Sequence, residues 1–564
     1  MNCDKNTASE KIADFIARYY SFSPLPSIPG KPECVDFVSG QYAITHLPLS
    51  DILPISMENY QYYTIPKLYT LLDTTNMEAS GILKTLNQPS LGYKGRGTIL
   101  GIIDTGIDYQ NPLFINSDGT GRILGIWDQS LKGEGIAEED PLPALHYGTE
   151  YTKAQIDAAL QNEFPLTVVP STDTNGHGTF LAAIAAGGEL PTSPFTGAAP
   201  ECFLAVVKLK PAKKYLRDYY FISPDAIAYQ ENDIMLGIKY LLTLSKEYML
   251  PITILLGLGT NMGSHDGTAP LPSYMSAVST SPGVVTVVAG GNETGFSHHY
   301  FGLISDSEPY DDVELKVAAN EPGFTIELWA REPELYTLSF ISPSGEQIPR
   351  VQDWSNKEHR LTFLLEKTVI FLDYQRAESE TGSQLILMRF KDPAPGIWRI
   401  RVSNSLYIRG EYHMWLPIRG FISDETFFLR SNPNTTITEP GNAPLLITVA
   451  GYDHHDDSLY IHSSRGYTRQ NVIKPDMAAP GVDVSVPDLP NLSGTSIAAA
   501  HVAGAAANIL SWAFTGQNDP YMTTSSVKSF LVRGARRNPI FNYPNREWGY
   551  GIMDLYNSFI QLRG

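Results

Sequence analysis

The sequence predicts an α/β protein with a doubly wound, mostly parallel sheet, an inserted all-β jelly roll or sandwich, and a small module before the sheet. Short apolar, β-branched runs such as residues 252–256 and 284–289 alternate with small-residue helical stretches such as 179–186, which is typical of parallel sheets. Residues 297–439 instead hold many strand-like runs between Gly, Pro, Asn and Asp turns. Because the α/β strands are apolar throughout, we expect helices on both faces of the sheet.

The length of the chain predicts several packed units. It has 564 residues, more than one compact core usually holds, and its 43% hydrophobic content is enough for large cores. We therefore expect an N-terminal module at residues 1–62, the first part of the α/β domain at 63–296, the β insertion at 297–439 and the second part of the α/β domain at 440–564.

The N-terminal module is predicted to begin with a short amphipathic helix. Ile12, Phe15 and Ile16 have helical spacing after a Ser start, within residues 9–20. Residues 41–47 favour a strand. No signal peptide is visible, and no stretch approaches the 18 apolar residues of a membrane span. We therefore expect an intracellular protein without a membrane span.

Charge and cysteine usage exclude several functional classes. The net charge of -19 argues against a nucleic-acid partner, because phosphate binding depends on Lys and Arg. Cys3, Cys34 and Cys202 are odd in number and lack the spacing of a disulfide framework or a metal site. No EF-hand-like acidic loop appears. We expect no disulfide, no metal and no cofactor.

The first candidate catalytic residue is Asp104, which follows the apolar run 98–103 in an Asp-Thr-Gly turn. A carboxylate at the carboxyl end of a strand lies where α/β proteins build their sites. One alternative is a simple turn cap. Another is an aspartic protease, which needs two such loops to share a proton, whereas this sequence has one.

Two further candidates stand where turns enter small-residue helices. His177 lies between two glycines that permit close approach of another chain, as a general base requires, although a histidine in such a turn can be purely structural. Ser496 follows Gly-Thr at the start of an Ala-rich helix. Helix amides there favour the negative charge that develops when a nucleophile attacks a carbonyl, although a Ser N-cap is the alternative.

The fourth candidate is Asn292, which ends a Gly-Gly-Asn turn after the apolar run 284–289. Its side-chain amide can donate a hydrogen bond to a tetrahedral oxyanion. The alternative is an asparagine selected only for turn geometry.

Asp-Thr-Gly, His-Gly-Thr, Gly-Asn and Gly-Thr-Ser, in this order, resemble the subtilisin-like serine protease family, peptidase S8. The resemblance covers roughly residues 75–296 and 440–564, including Lys-Pro-Asp-Met-Ala-Ala-Pro-Gly at 474–481 and Glu-Trp-Gly-Tyr-Gly-Ile-Met-Asp at 547–554. It implies a subtilisin-like α/β fold and a serine endopeptidase acting on protein or peptide substrates.

The resemblance also implies a role for each residue. Ser496 attacks the scissile carbonyl, His177 transfers the proton and Asp104 orients His177, while Asn292 and the Ser496 amide bind the oxyanion. All four residues are present. This disfavours the alternative of a non-catalytic interaction protein on the same scaffold.

The family binds its substrate as an added strand, which implies substrate-binding roles for two glycine-rich segments. One segment departs from the family pattern, because a glycine replaces the usual serine at residue 257. The segments are Gly257, Leu258, Gly259 and Ala289, Gly290, Gly291. Asp108 and His265 fall near the cleft in the family pattern, whereas His501 is expected to be structural.

Residues 1–62 occupy the place of the family's propeptide, which assists folding and then blocks the cleft until it is cut. We expect the cut within residues 56–64, taken as an accessible, Tyr-rich stretch. The short N-terminal segment, the insertion between Asn292 and Ser496, and the motifs at 65–73 and 259–267 resemble Csp-type germination proteases of spore-forming bacteria. That group clips a precursor of a cortex-lytic hydrolase, which implies an intracellular or spore-associated location.

The insertion contains Gly-Ile-Trp at residues 396–398, which resembles the Gly-x-Trp strand of accessory jelly rolls in other subtilases. It carries no catalytic motif. Its role is either docking of a substrate or partner, or rigidification of the catalytic domain.

Overall fold

The computed structural model describes residues 7–19, 34–71, 80–88, 91–133, 135–136, 145–190, 195–305, 307–351 and 358–561. Within these ranges the chain forms a small N-terminal sheet, a large α/β unit and an all-β unit that interrupts the α/β unit.

The N-terminal module is an antiparallel sheet with its third strand in the middle. Its elements are β1 (Ile12–Arg18), β2 (Cys34–Phe37), β3 (Tyr42–Pro48) and α1 (Leu49–Ile52). The strand predicted at residues 41–47 is confirmed, but the helix predicted at 9–20 is wrong. Residues 12–17 are all buried, and a strand buried on both faces has no alternating pattern to separate it from a helix.

The cysteines also depart from expectation. Cys34 is disulfide-bonded, so the prediction of no disulfide is wrong. Cys202 is free and buried, and Cys3 lies outside the described residues. Odd cysteine number and irregular spacing therefore do not exclude a single bridge.

The first part of the α/β unit alternates strands and helices. Its strands are β4 (Leu68–Leu71), β5 (Ile99–Asp104), β6 (Ile123–Asp128), β7 (Thr149–Thr152), β8 (Phe203–Lys208), β9 (Tyr229–Gln230), β10 (Ile252–Leu256), β11 (Leu258–Gly259) and β12 (Val284–Ala289). Its α-helices are α2 (Ile82–Leu86), α3 (Lys153–Leu160), α4 (His177–Ala186), α5 (Lys214–Tyr220), α6 (Glu231–Glu247) and α7 (Pro270–Val278). The strands predicted at 252–256 and 284–289 are confirmed.

The all-β unit consists of two antiparallel sheets that share one hydrophobic core. Its strands are β13 (His299–Leu303), β14 (Tyr310–Val317), β15 (Gly323–Ala330), β16 (Leu335–Ile341), β17 (Gln347–Val351), β18 (His359–Thr362), β19 (Val369–Gln375), β20 (Leu385–Lys391), β21 (Gly396–Leu406), β22 (Glu411–Trp415) and β23 (Phe427–Phe428). The sheet orders are β13-β22-β15-β20-β19-β18 and β17-β16-β21-β14-β23. The assignment as a jelly roll and the domain boundaries stay predictions.

The second part of the α/β unit completes the central sheet. It contributes β24 (Ile447–Asp453), β25 (Ser458–Leu459), β26 (Met477–Pro480), α8 (Thr495–Leu510), α9 (Thr524–Gly534) and α10 (Leu555–Ile560). The sheet order among the described strands is β25-β24-β12-β10-β5-β8-β6-β7, with β26 also paired to β24. All these pairs are parallel except those of β7 and β25. The predicted mostly parallel sheet is confirmed.

Helix α8 is the central core helix of the α/β unit. Every residue of α8 is buried. The window 495–515 is apolar and long enough to span a membrane, but 89% of it is buried inside the fold. Burial within the protein accounts for its apolar composition.

A buried polar network attaches the N-terminal module to the α/β unit. The ring of His46 lies 2.8 Å from Asp14 Oδ1 through Nδ1 and 3.1 Å from Asp36 Oδ2 through Nε2. Asp14 pairs with Lys213 of the α/β unit at 2.7 Å, and Asp36 contacts His146 of the same unit. Asp14 and Asp36 thus share the His46 ring within the module, and each also contacts one group of the α/β unit, Lys213 for Asp14 and His146 for Asp36.

This network makes attachment of the module pH-dependent. Burial alone would lower the pKa of His46, but its bonds to Asp14 and Asp36 outweigh burial and raise this pKa. Burial would raise the pKa of Asp36, but bonds to His146 and His46 lower it to about 2. The His46 contribution to stability is full below the unfolded-state pKa, about 6.5, and is lost as the pH rises through the folded-state pKa. The Asp36 contribution is lost only as the pH falls below about 4.

We therefore expect the unfolding midpoint of the full chain to fall as the pH rises above neutrality, and His46→Gln to make that fall shallower. Thermal unfolding between pH 5 and 9, followed for both proteins at constant ionic strength, measures the difference. Equal slopes for wild type and variant would contradict this role of His46.

Candidate active site

The candidate residues meet at the carboxyl edge of the parallel sheet. Asp104 is the last residue of β5, and Asn292 follows β12 after two glycines. His177 is the first residue of α4, and Ser496 is the second residue of α8. Parallel strands end at the same edge of a sheet, so residues far apart in sequence come together there.

His177 connects the other two residues of the predicted triad. Its Nδ1 lies 2.7 Å from Asp104 Oδ1, and its Nε2 lies 3.2 Å from Ser496 Oγ. The Thr105 amide donates to the same Asp104 oxygen at 2.8 Å. A proton on Nδ1 leaves the Nε2 lone pair directed at Ser496, which is the arrangement of a general base beside a nucleophile.

Asn292 has a fixed orientation beside Ser496. Its Oδ1 accepts hydrogen bonds from the amide and the hydroxyl of Thr495, both at 3.1 Å. With the carbonyl oxygen engaged, the side-chain NH2 group remains as the donor of Asn292. The Ser496 amide lies in the first turn of α8, whose amides the helix itself does not use. Donors of these two kinds are those that stabilise an oxyanion.

Asp173 holds the aspartate turn against the histidine turn. Its Oδ1 accepts from the Thr105 hydroxyl and the Gly176 amide, both at 2.8 Å. Its Oδ2 accepts from the amide of Thr179 at 2.9 Å and from its hydroxyl at 2.7 Å. Sequence reasoning missed Asp173, although a carboxylate shortly before the candidate histidine was a usable signal.

The glycine at residue 257 lies directly beneath the triad. A Cβ atom on Gly257 would lie 2.7 Å from Leu181 Cδ1 and 3.2 Å from Ser496 Cβ. Within this backbone arrangement a side chain at that position would displace Leu181 or Ser496. The close approach of Leu181 and Ser496 therefore explains why residue 257 is a glycine in this chain and not the serine usual in the family.

The predicted substrate-binding segment already pairs with a strand of this chain. Strand β4 runs antiparallel between β11 and β9. Leu258 and Gly259 of β11 face Leu71 and Thr70, while Tyr229 of β9 faces Tyr69. This pairing has the geometry of the added-strand mode of peptide binding, with β4 in the position of the added strand.

The predicted cleavage zone at residues 56–64 is only partly accessible, with Glu58, Asn59 and Gln61 exposed. Ser56, Met57, Tyr60, Tyr62 and Thr64 are each buried. The expectation of an exposed stretch therefore holds for Glu58, Asn59 and Gln61 but not for Tyr60 and Tyr62, which pack into the protein. The strand that pairs with the predicted substrate-binding segment is β4, which comes later in the chain.

The other predicted pocket residues line the end of β12. A Cβ atom on Gly291 would lie 2.7 Å from Thr438 Cγ2, so Thr438 fills space that the small residues Ala289, Gly290 and Gly291 leave. Thr438 follows the all-β unit, and no sequence motif indicated its place here.

Three further predicted residues have different surroundings. His265 stacks on Trp415 at 3.9 Å, and both ring nitrogens lie 3.0 Å from backbone carbonyl oxygens. Burial lowers the pKa of His265 to about 4. His501 is buried with Nδ1 2.8 Å from the Ile497 carbonyl oxygen, in agreement with its structural role. Asp108 is exposed, and its amide donates to Thr179.

Metal-ligand geometry occurs at one place among the described residues. Asp453, His454 and His455 offer ligand atoms within 4.8 Å of one another. They are the last residue of β24 and the first two residues of the turn that follows, and His455 Nδ1 lies 2.8 Å from Asp453 Oδ1. These contacts within a surface turn do not assign a metal.

Comparisons with known proteins agree with this geometry. The subtilase family, peptidase S8, matches residues 95–322 and 423–551. The structure of the Clostridium perfringens CspB protease is similar with a TM-score of 0.75 and 28% identity, over 86% of this chain and 97% of that one.

Two sequence relatives are also subtilisin-like or serine proteases by name. The subtilisin-like protease SBT4.3 of Arabidopsis thaliana is 23% identical over 533 residues, 86% of this chain and 64% of that protein. The serine protease AprX of Bacillus subtilis is 34% identical over 129 residues, 18% of this chain and 28% of that protein. This chain therefore spans less than two thirds of the length of these relatives.

We expect Asp173→Asn to slow reaction of Ser496 with a fluorophosphonate probe by about tenfold, because weaker bonds would let the two turns separate; tenfold corresponds to ~1.4 kcal/mol. The probe reports nucleophile activation without a peptide in the cleft. The pH profile of labelling should broaden as His177 loses its fixed position. Asp108→Asn is the matched control, and equal rates for the two variants would exclude a positioning role for Asp173.

Proposed function

Because this chain belongs to the subtilase family, we propose that it is a serine endopeptidase whose catalytic triad is Asp104, His177 and Ser496. The observation that carries the proposal is the position of His177 between the other two side chains, at 2.7 Å from Asp104 and 3.2 Å from Ser496. The aspartate and the histidine turn are held together by Asp173, so this geometry is built into the fold.

The first half of the reaction forms an acyl-enzyme. Ser496 Oγ attacks the scissile carbonyl carbon while its proton passes to His177 Nε2, and Asp104 stabilises the resulting imidazolium. The negative carbonyl oxygen is stabilised by the Asn292 side-chain amide and the Ser496 backbone amide. His177 then protonates the leaving amine, which departs with the C-terminal product.

The second half returns the enzyme to its starting state. A water molecule gives its proton to His177 Nε2 and attacks the acyl carbon, and the same two donors stabilise the second oxyanion. His177 then returns the proton to Ser496 as the carboxylic acid product leaves. Asp104 stays ionised and accepts a hydrogen bond from His177 Nδ1 throughout.

The first substrate in this proposal is the chain's own N-terminal region. Strand β4 occupies the place of a bound peptide between β9 and β11, and the chain runs from β11 back to Gly257, which lies beside Ser496. In an antiparallel pair, the peptide residue opposite Gly257 comes after Leu71. We therefore place the self-cleavage bond beyond Leu71 rather than within residues 56–64.

The experiment is denaturing intact-mass spectrometry of wild type and Ser496→Ala, purified side by side. We expect wild type to split into an N-terminal fragment that includes Leu71 and a remainder, and the variant to stay whole. If wild type and variant both stay whole, and a fluorophosphonate does not label wild type, the result would favour a non-catalytic interaction protein on the same scaffold. A cut within residues 56–64 would contradict the register argument alone.

The narrower proposal is activation of a precursor hydrolase in spore germination. It rests on the layout of the short N-terminal module and the β insertion, and on the similarity to the CspB protease of Clostridium perfringens. In spores of the source organism, Ser496→Ala should leave a cortex-lytic hydrolase at precursor length, as measured by immunoblot. Normal processing in that strain would contradict the germination role while leaving the peptidase chemistry intact.

A further inference from the structure

Glu327 in β15 of the all-β unit contacts the loop that follows the predicted substrate-binding strand β11. Its Oε2 accepts hydrogen bonds from the Gly263 amide at 2.9 Å and from Trp329 Nε1 at 3.0 Å. Gly263 belongs to the loop after β11, the strand that pairs with β4. Glu327 is 3% exposed, so these two donors fix its second oxygen, Oε1, in one direction.

That oxygen accepts a hydrogen bond from Tyr62. The phenol hydroxyl of Tyr62 donates to Glu327 Oε1, and its ring packs edge-on against Trp329 with centroids 5.7 Å apart. Tyr62 is 4% exposed. Burial raises the pKa of Tyr62 well above 10, so the hydroxyl stays a donor at physiological pH.

The residues between Tyr62 and β4 are fixed as well. Lys67 Nζ donates to the Tyr62 carbonyl oxygen at 2.9 Å and lies 4.2 Å from the centre of the Tyr62 ring. The backbone of Lys67 exchanges hydrogen bonds with Glu231, whose Oε2 accepts from the Lys67 amide at 3.1 Å and whose amide donates to the Lys67 carbonyl at 3.0 Å. Tyr62, the first residue of a 3-10 turn at Tyr62–Thr64, and β4 are therefore parts of one bound segment.

The Trp329 ring also has a fixed position. The Arg469 guanidinium lies 5.4 Å from its centre and is itself held by Asp266 at 2.7 Å and by the Ser264 carbonyl at 2.7 Å. Both groups that meet Tyr62 are thus oriented by contacts that do not involve Tyr62. The site is built from the all-β unit and the loop after β11 together.

We propose that Glu327 and Trp329 form an exosite for a tyrosine side chain in the polypeptide that occupies the cleft. The exosite rests on the proposed peptidase function and adds a side-chain requirement to it. The enzyme selects a segment in which a tyrosine at the start of a 3-10 turn precedes the strand-forming residues by the spacing from Tyr62 to Leu68. The N-terminal region satisfies this requirement, and a protein cut in trans would need a tyrosine at the same spacing.

The test is hydrogen–deuterium exchange in the full chain carrying Ser496→Ala, where no cleavage complicates the measurement. Adding Tyr62→Phe removes only the hydroxyl and keeps the ring against Trp329. We expect amides in residues 64–71 to exchange at least tenfold faster, which corresponds to ~1.4 kcal/mol. Glu327→Gln should have a similar effect. It replaces one carboxylate oxygen by an NH2 group, which cannot accept a hydrogen bond, while Tyr62, Gly263 and Trp329 all donate to this side chain.

The matched control is Tyr60→Phe. Tyr60 is a neighbouring buried tyrosine whose hydroxyl contacts the Ile52 carbonyl within the N-terminal module. Exchange in residues 64–71 should not change in this control. The same rates for Tyr62→Phe and Tyr60→Phe would overturn the exosite.

A second measurement separates this proposal from the peptidase proposal. In chains that retain Ser496, Tyr62→Phe should slow self-cleavage at least tenfold relative to Tyr60→Phe, as followed by intact mass over time. Cleavage that persists in Ser496→Ala would refute the peptidase proposal, whereas the exchange data would still decide the exosite. Cleavage that depends on Ser496 but not on Tyr62 would refute the exosite as a selection device.

Discussion

Hydrogen bonding between neighbouring parallel strands is the constraint on which the site depends. Strands β10, β5 and β12 pair in parallel, so the segments that follow them emerge at one edge. His177 and Ser496 are separated by 319 positions in sequence and by 3.2 Å in space. Strand pairing thus places Asp104 and Asn292 at this edge, while the starts of α4 and α8 bring His177 and Ser496 to it.

The same pairing explains how the chain accommodates a large β insertion. Strands β12 and β24 flank the insertion in sequence, yet they are direct parallel neighbours, with Val287 opposite Ile447. A crossover between parallel strands has to leave the sheet and return in any case. The all-β unit lengthens one crossover and leaves the register of the sheet intact.

The sequence was informative where a residue acts through its immediate neighbours. The glycines beside His177, the strand before Asp104 and the small-residue helix after Ser496 are local patterns, and the structure places these residues within hydrogen-bonding distance of one another. The parallel strands were also predictable, because their apolar runs are bounded by glycine-rich turns.

The sequence was uninformative where a role depends on a partner far along the chain. Asp173 is one polar loop residue among several until Thr105 is placed beside it. Glu327 occupies a strand of the insertion and meets Gly263 only in the assembled fold. The N-terminal strand β1 was mistaken for a helix because both of its faces are covered, and the burial of Tyr62 depends on the same kind of distant contact.

Strand β4 also has a consequence for pairing with other chains. It is the middle strand of a three-stranded sheet whose outer members are β9 and β11. Departure of this segment would leave the inner edges of β9 and β11 without backbone partners, and unpaired strand edges promote association between molecules. Since β9 and β11 are only two residues long, these edges would be too short to drive extensive association, and they would instead leave a place where another extended polypeptide can pair.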